Sequence, residues 1–138
     1  MSGLIVVYNR NGAPVAAGAL QAAMESLAHR GPDGGDTWLS GPVGLGHQHR
    51  WSTPEEVGER QPLADSAGRH HLVFDGRLDN REELYGALGM DQVAGQGLSD
   101  ARLFLQAYER WGERCLERLL ETLIRPGPKT GGLTGPRA

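Results

Sequence analysis

Short apolar runs alternate along the chain with turns rich in glycine and proline. Residues 4–8 are a β-branched run of strand length, closed by the turn signal Asn9-Arg10-Asn11-Gly12. Residues 17–28 predict a helix, with Leu20, Met24 and Leu27 on one face. Residues 29–36 hold too much glycine and proline for a regular element and read as a loop. Residues 36–40 and 43–50 predict two strands joined at Gly41-Pro42, followed by a polar loop over 53–59. A second strand pair is expected at 61–64 and 71–75, around Ser66-Ala67-Gly68. The continuous run Leu72-Val73-Phe74 suits a strand covered on both faces. Asn80 and Glu83 stand at capping-box spacing and open a helix that stops at Gly89. Ser99-Asp100 opens the next, whose stripe is Ala101, Phe104, Leu105, Tyr108 and Trp111, and Gly112 ends it. A short helix over 113–120 follows. Residues 125–138 contain three prolines and four glycines and read as a disordered tail. The order of elements gives a mixed α+β domain.

Composition narrows the class. The 138 residues suffice for one domain with a modest core. A net charge of −3, with arginines dispersed among acids, offers no basic face to nucleic acid or to a membrane surface. The one cysteine, Cys115, allows no intrachain disulfide and fits a reducing cytoplasm; it reads as a small apolar residue rather than a reactive thiol. No apolar run reaches membrane-spanning length and no signal peptide precedes the first strand, so a cytoplasmic protein is expected. His47 and His49 are two apart and His70-His71 adjacent, but without a Cys-x-x-Cys or His-Glu-x-x-His spacing they are not assigned to a metal.

The candidate chemistry begins at Ser2. Methionine before a small residue is normally trimmed, which leaves Ser2 with a free α-amine beside its hydroxyl. That amine titrates near neutral pH and is a base for the hydroxyl proton, a minimal nucleophile-plus-base unit.

Several pieces occur together and in order: Met1-Ser2-Gly3-Leu4, Ala28-His29-Arg30-Gly31-Pro32-Asp33, Leu45-Gly46-His47, Gln61-Pro62-Leu63, Leu72-Val73-Phe74-Asp75-Gly76-Arg77, Asn80-Arg81-Glu82-Glu83-Leu84, Ser99-Asp100 and Tyr108-Glu109-Arg110-Trp111-Gly112. Over residues 2–120 the chain resembles the N-terminal class II glutamine amidotransferase domain of asparagine synthetases. Arg50-Trp51-Ser52-Thr53-Pro54-Glu55 and Asp79-Asn80-Arg81 look nearest to the bacterial natural-product branch that includes lasso-peptide cyclases. The resemblance implies an N-terminal-nucleophile (Ntn) hydrolase fold, an αββα sandwich of two antiparallel sheets. It also implies a chemistry: an N-terminal cysteine attacks the side-chain amide of glutamine, its α-amine is the base, and ammonia passes to an ATP-using synthetase domain. No cofactor is implied for the glutaminase step itself.

Carried over residue by residue, the site is altered. Ser2 stands at the nucleophile position, and a hydroxyl ionises far less than a thiol. The oxyanion pair is Asp75-Gly76: Gly76 keeps its N–H, while Asp75 replaces an amide donor by a carboxylate. One lost oxyanion donor costs about 100- to 1,000-fold in rate. Arg77 replaces a glutamate that holds the substrate amino group, a charge reversal. Asp100 matches an aspartate that binds the same group, and equally well suits simple helix capping. At the position of the arginine that binds the substrate carboxylate stands His49, with Arg50 next; on a strand the two face opposite ways. The framework motifs survive better than the chemistry.

The synthetase loop Ser-Gly-Gly-x-Asp-Ser does not occur, and residues 121–138 replace the family's next strand, rich in phenylalanine and alanine. The fold is therefore expected to be truncated at its C-terminal strands, with exposed sheet edge and self-association as consequences. The domain reading is a glutamine amidotransferase-like unit over 1–120 and a divergent tail over 121–138. The functional expectation is a pseudo-glutaminase kept for structure or for docking with an ATP-dependent synthetase, with glutamine as residual ligand. An active N-terminal-serine amidohydrolase and a non-functional fragment of a split synthetase gene are the alternatives.

Overall fold

The computed structural model describes residues 2–90 and 97–123, with side chains as far as Leu119. Strands β1 (Gly3–Tyr8), β2 (Gly35–Ser40) and β3 (Val43–Gln48) form an antiparallel sheet in the order β1-β3-β2. Gly3 on one side and Gly35 on the other pair with Gln48, and Tyr8 and Ser40 pair with Val43. Helix α1 (Ala17–Ser26) buries Leu20 and Met24 on one face of this sheet. Its close approach needs a residue without a side chain on β3: a Cβ at Gly46 would stand 2.5 Å from the Met24 sulfur. On the other face, β1 leaves Leu4, Val6 and Tyr8 exposed, as the alternation along a strand requires.

The second sheet is smaller than the sequence suggests. Strands β4 (Leu63–Ala64) and β5 (His71–Leu72) have two residues each, against expected strands of 61–64 and 71–75. The shortening has a local cause. Gln61 turns its side chain to accept from the Phe74 N–H at 2.7 Å, taking the donor that a longer ladder would use. A stack of Trp38 on His71, with ring centroids 3.8 Å apart, ties the two sheets together.

Among the described residues, three further helices follow: α2 (Arg81–Ala87), α3 (Asp100–Trp111) and α4 (Cys115–Leu123). Ser99 caps α3, accepting from the Arg102 N–H, as its position before an apolar stripe predicts. The stripe itself is wider than expected. Ala101 and Leu105 pack with Leu63, whereas Leu103 and Ala107 join Leu78, Leu84, Tyr85, Cys115 and Leu119 in a second cluster. α3 thus lies between β4 and the other two helices, so a second row at i, i+4 spacing is buried as well. Trp111, on the expected stripe, is half-buried and carries the Arg118 guanidinium 4.3 Å above its ring.

The expected capping box at Asn80 does not form. Asn80 makes no side-chain cap and donates instead to the Arg118 carbonyl at 3.2 Å. A capping box forms at Thr53 and Glu56, on a single 3-10 turn (Pro54–Glu56) inside the loop expected to be irregular. Another 3-10 turn, Ala28–Arg30, opens the expected loop after α1. The last helix begins at Cys115 after a 3-10 turn (Gly112–Arg114) and runs to Leu123, beyond the expected end at 120. The tail expected from 125 onward lies outside the described residues. No helix among the described residues is long and apolar enough to cross a membrane.

Candidate functional site

Five of the seven residues singled out in the sequence line one pocket: Ser2, His49, Arg50, Asp75 and Gly76. β1 and β3 bring the first three together, because Gly3 pairs with Gln48 and so sets Ser2 beside the residues that follow β3. The Arg50 N–H donates to Ser2 Oγ at 3.2 Å. Asp75 and Gly76 arrive from the segment after β5, and both are exposed. A Cβ at Gly76 would stand 2.9 Å from Phe74 Cζ, so this segment folds tightly against its own aromatic ring.

The His-Arg-Gly-Pro-Asp loop is zipped onto the same region. Asp33 N–H donates to the His49 carbonyl at 3.1 Å, His49 N–H donates to the Gly34 carbonyl at 2.6 Å, and the Asp33 carboxylate accepts from Trp51 N–H at 2.8 Å. Gly31 is required for this fit, since a Cβ there would lie 2.6 Å from Gln48 Cβ.

The remaining two candidates stand apart from the pocket lining. Arg77 is 88% exposed and sits 3.8 Å from the Asp79 carboxylate. Asp100 is 12% exposed, with both oxygens engaged: Oδ1 accepts from Arg81 and Oδ2 from the Leu78 N–H at 3.0 Å.

The family described as "Glutamine amidotransferase domain" matches residues 1–121. The chain belongs to this family. Three curated relatives resemble it. "Amidase chry2" of Gibberella zeae is 33% identical over 102 residues, 72% of this chain and 15% of that protein. "Asparagine synthetase [glutamine-hydrolyzing] 3" of Bacillus subtilis is 30% identical over 97 residues, 69% and 16% of the two chains. "Putative asparagine synthetase [glutamine-hydrolyzing]" of Mycobacterium bovis is 33% identical over 114 residues, 75% and 17%. The chain therefore spans about one sixth of the length of the curated relatives it matches. No solved structure matches.

In this glutamine amidotransferase domain, His49 is held from both sides. It is 1% exposed; its Nδ1 lies 2.7 Å from His47 Nδ1, and its Nε2–H donates to Asp36 at 3.1 Å. Arg60 grips Asp36 with two bonds of 2.5 and 2.8 Å and holds its carboxyl below the usual range; His49 lowers it further and burial opposes both. His47 is 4% exposed, and burial, reinforced by the charge of His49, pushes it down to about 4. The Phe74 carbonyl 3.2 Å from His47 Nε2, with Asp75 and Asp36, works against that fall. Arg50 is exposed at the rim, the alternation of faces expected for neighbours on an extended segment.

The Phe74 peptide, just before Asp75-Gly76, is clamped at both ends. His47 takes its carbonyl, and Gln61 takes its N–H. Gln61 in turn donates to Glu59 at 3.1 Å, and Glu59 accepts from Ser99, the α3 cap. Sequence reasoning assigned no role to Asp36, Arg60, Glu59 or Gln61. Gln61 and His47 lie inside motifs that carry the family resemblance, which is the signal that they are more than surface residues. Asp36 and Arg60 are 24 residues apart and leave no local signal. The other histidine pair diverges: His70 bonds Asp65 at 2.7 Å, whereas His71 stacks on Trp38. Among the described residues, no group of three or more histidine, cysteine, aspartate or glutamate side chains is placed to hold a metal ion.

Proposed function

We propose that this glutamine amidotransferase domain no longer hydrolyses glutamine and is retained for structure, or for docking with an ATP-dependent, amide-forming synthetase domain or subunit. The observation that carries the reading is that two of the positions expected to grip the substrate, His49 and Asp100, are spent on internal bonds. Both ring nitrogens of His49 are taken by His47 and Asp36, and both oxygens of Asp100 by Arg81 and Leu78. Neither is available to the carboxylate or the ammonium of free glutamine. Asp75 presents a carboxylate where an oxyanion would form, and a negative charge there repels it. The names of the bacterial relatives supply the partner class, and the truncated sandwich over 1–120 belongs to the same reading.

A thermal melt with and without excess glutamine, alongside an ammonia-release assay, tests it. A cooperative transition unmoved by glutamine, with no ammonia released, is the expected result. An upward shift in Tm overturns the loss of binding, since ligand at about 100 times its dissociation constant adds roughly 2.7 kcal/mol. Ammonia release that is abolished by Ser2→Ala overturns the loss of chemistry.

A further inference from the structure

The proton count at the two buried histidines does not close with neutral rings. His49 Nε2 faces the Asp36 carboxylate, an acceptor only, and must carry a hydrogen. His47 Nε2 faces the Phe74 carbonyl, again an acceptor only, and must carry another. The two Nδ1 atoms lie 2.7 Å apart, and a contact this short requires a third hydrogen between them. Three protons on two imidazoles make one neutral ring and one imidazolium.

We infer that His47 and His49 share a single proton and form a pH-dependent tie that positions the Asp75-Gly76 segment, with His47 gripping the Phe74 carbonyl only while the pair is charged. The significance for an oxyanion position rests on the family assignment of Asp75-Gly76; the coupling itself does not.

The charged surroundings support one proton and not two. Asp36 faces His49 from β2, and Arg60 backs it from the loop before β4, limiting how much negative charge the pair meets. Asp75 faces His47 from the segment after β5. Glu56, Glu59 and Arg50 line the adjoining pocket. Burial, with the charge of His49, lowers His47 to about 4, which opposes a second added proton on the pair. Losing the shared proton leaves two hydrogens for three contacts. The contact to Asp36 is charge-assisted and the Nδ1–Nδ1 contact is fully buried, so the neutral bond to Phe74 is given up. His47 then takes the Nδ1–H form and its Nε2 lone pair repels the Phe74 oxygen. Gln61 still holds the Phe74 N–H in the Val73–Phe74 peptide, so the next peptide, Phe74–Asp75, turns about the Phe74 Cα and carries Asp75 with it.

The test is nuclear magnetic resonance of the full chain over about pH 5–8, where an imidazole exchanges its proton. It follows the ring nitrogens of both histidines and the Gly76 amide. One common midpoint for His47, His49 and Gly76 is expected, because coupled groups titrate as a pair. Asp36→Asn should lower that midpoint by about one pH unit or more, and Arg60→Gln should raise it, because one removes and the other unmasks a negative partner. These side chains are 37% and 57% exposed, so the variants are not core substitutions; if one fails to fold, the other and the wild-type titration still decide. Two neutral rings at the acid end of that range overturn the shared proton. A Gly76 amide that stays constant while the rings titrate overturns the tie. Neither outcome depends on glutamine hydrolysis.

Discussion

Gln61→Met isolates the second clamp on Phe74. Gln61 is 5% exposed, accepts from Phe74 N–H at 2.7 Å and donates to Glu59 at 3.1 Å. Methionine keeps the length and most of the volume but offers neither group. Leaving a half-buried N–H without its acceptor costs about 1–3 kcal/mol, and a hydrogen bond to a carboxylate is worth about 1.5–3 kcal/mol. Glu59 keeps Ser99 and lies 3.5 Å from Arg102, so the second figure is not lost in full. The expected destabilisation is about 2–4 kcal/mol, a large share of the roughly 5–15 kcal/mol that holds a domain folded. Urea denaturation measures it, with the Phe74 amide expected to exchange faster with solvent. Gln21→Met is the control: Gln21 is exposed and contacts Glu25 only at 3.5 Å, so a change within about 0.5 kcal/mol is expected. A Gln61→Met loss below about 0.5 kcal/mol at unchanged m-value would refute the clamp.

Three other outcomes are expected. Stability should fall as pH drops from 6.5 towards about 4, because the unfolded chain protonates His47 in that window and the folded chain does not; His47→Asn should flatten this part of the curve measured by chemical denaturation. Cys115 is fully buried and its thiol is pushed up to about 11, so iodoacetamide should label it only as fast as the chain unfolds, and fast labelling of native protein would contradict the packing. Gly46→Ala should cost about 1–3 kcal/mol through collision with Met24, with Met24→Ala recovering part of the loss in the double variant.

Elements whose partners are local were legible from the chain. The hairpin at Gly41-Pro42 follows from strand alternation and turn chemistry, and the Ser99 cap from its place before a helical stripe. What failed involves residues far apart in sequence. The strands near 61–64 and 71–75 came out short because a side chain, Gln61, takes the Phe74 N–H. Asn80 lost its cap because Arg118, 38 residues on, offers a carbonyl. At the site, the sequence brought Ser2, His49, Asp75 and Gly76 to notice through family motifs. It left out the Asp36–Arg60 pair, which decides what His49 is able to do. It also could not separate capping from ligand binding for Asp100, whose oxygens the fold gives to Arg81 and Leu78.

His49 and Asp100 share one physical logic. An arginine is long, presents five donors and reaches across a pocket. A histidine at the same place is shorter, and here its two nitrogens meet Asp36 and His47 before they meet solvent. Asp100 at the start of α3 likewise accepts from an arginine and a backbone N–H on the segment that precedes and opens α2. A group satisfied within the fold contributes its bonds to stability and has little left for a ligand, since exchanging one partner for another gains only the difference. Under the proposed function, the same side chains that mark the domain as a glutamine amidotransferase have turned from substrate contacts into ties between β2, β3, α2 and α3. That change favours persistence of the folded domain over turnover. On that proposal the family motifs stay readable because the fold still uses these side chains for its own bonds.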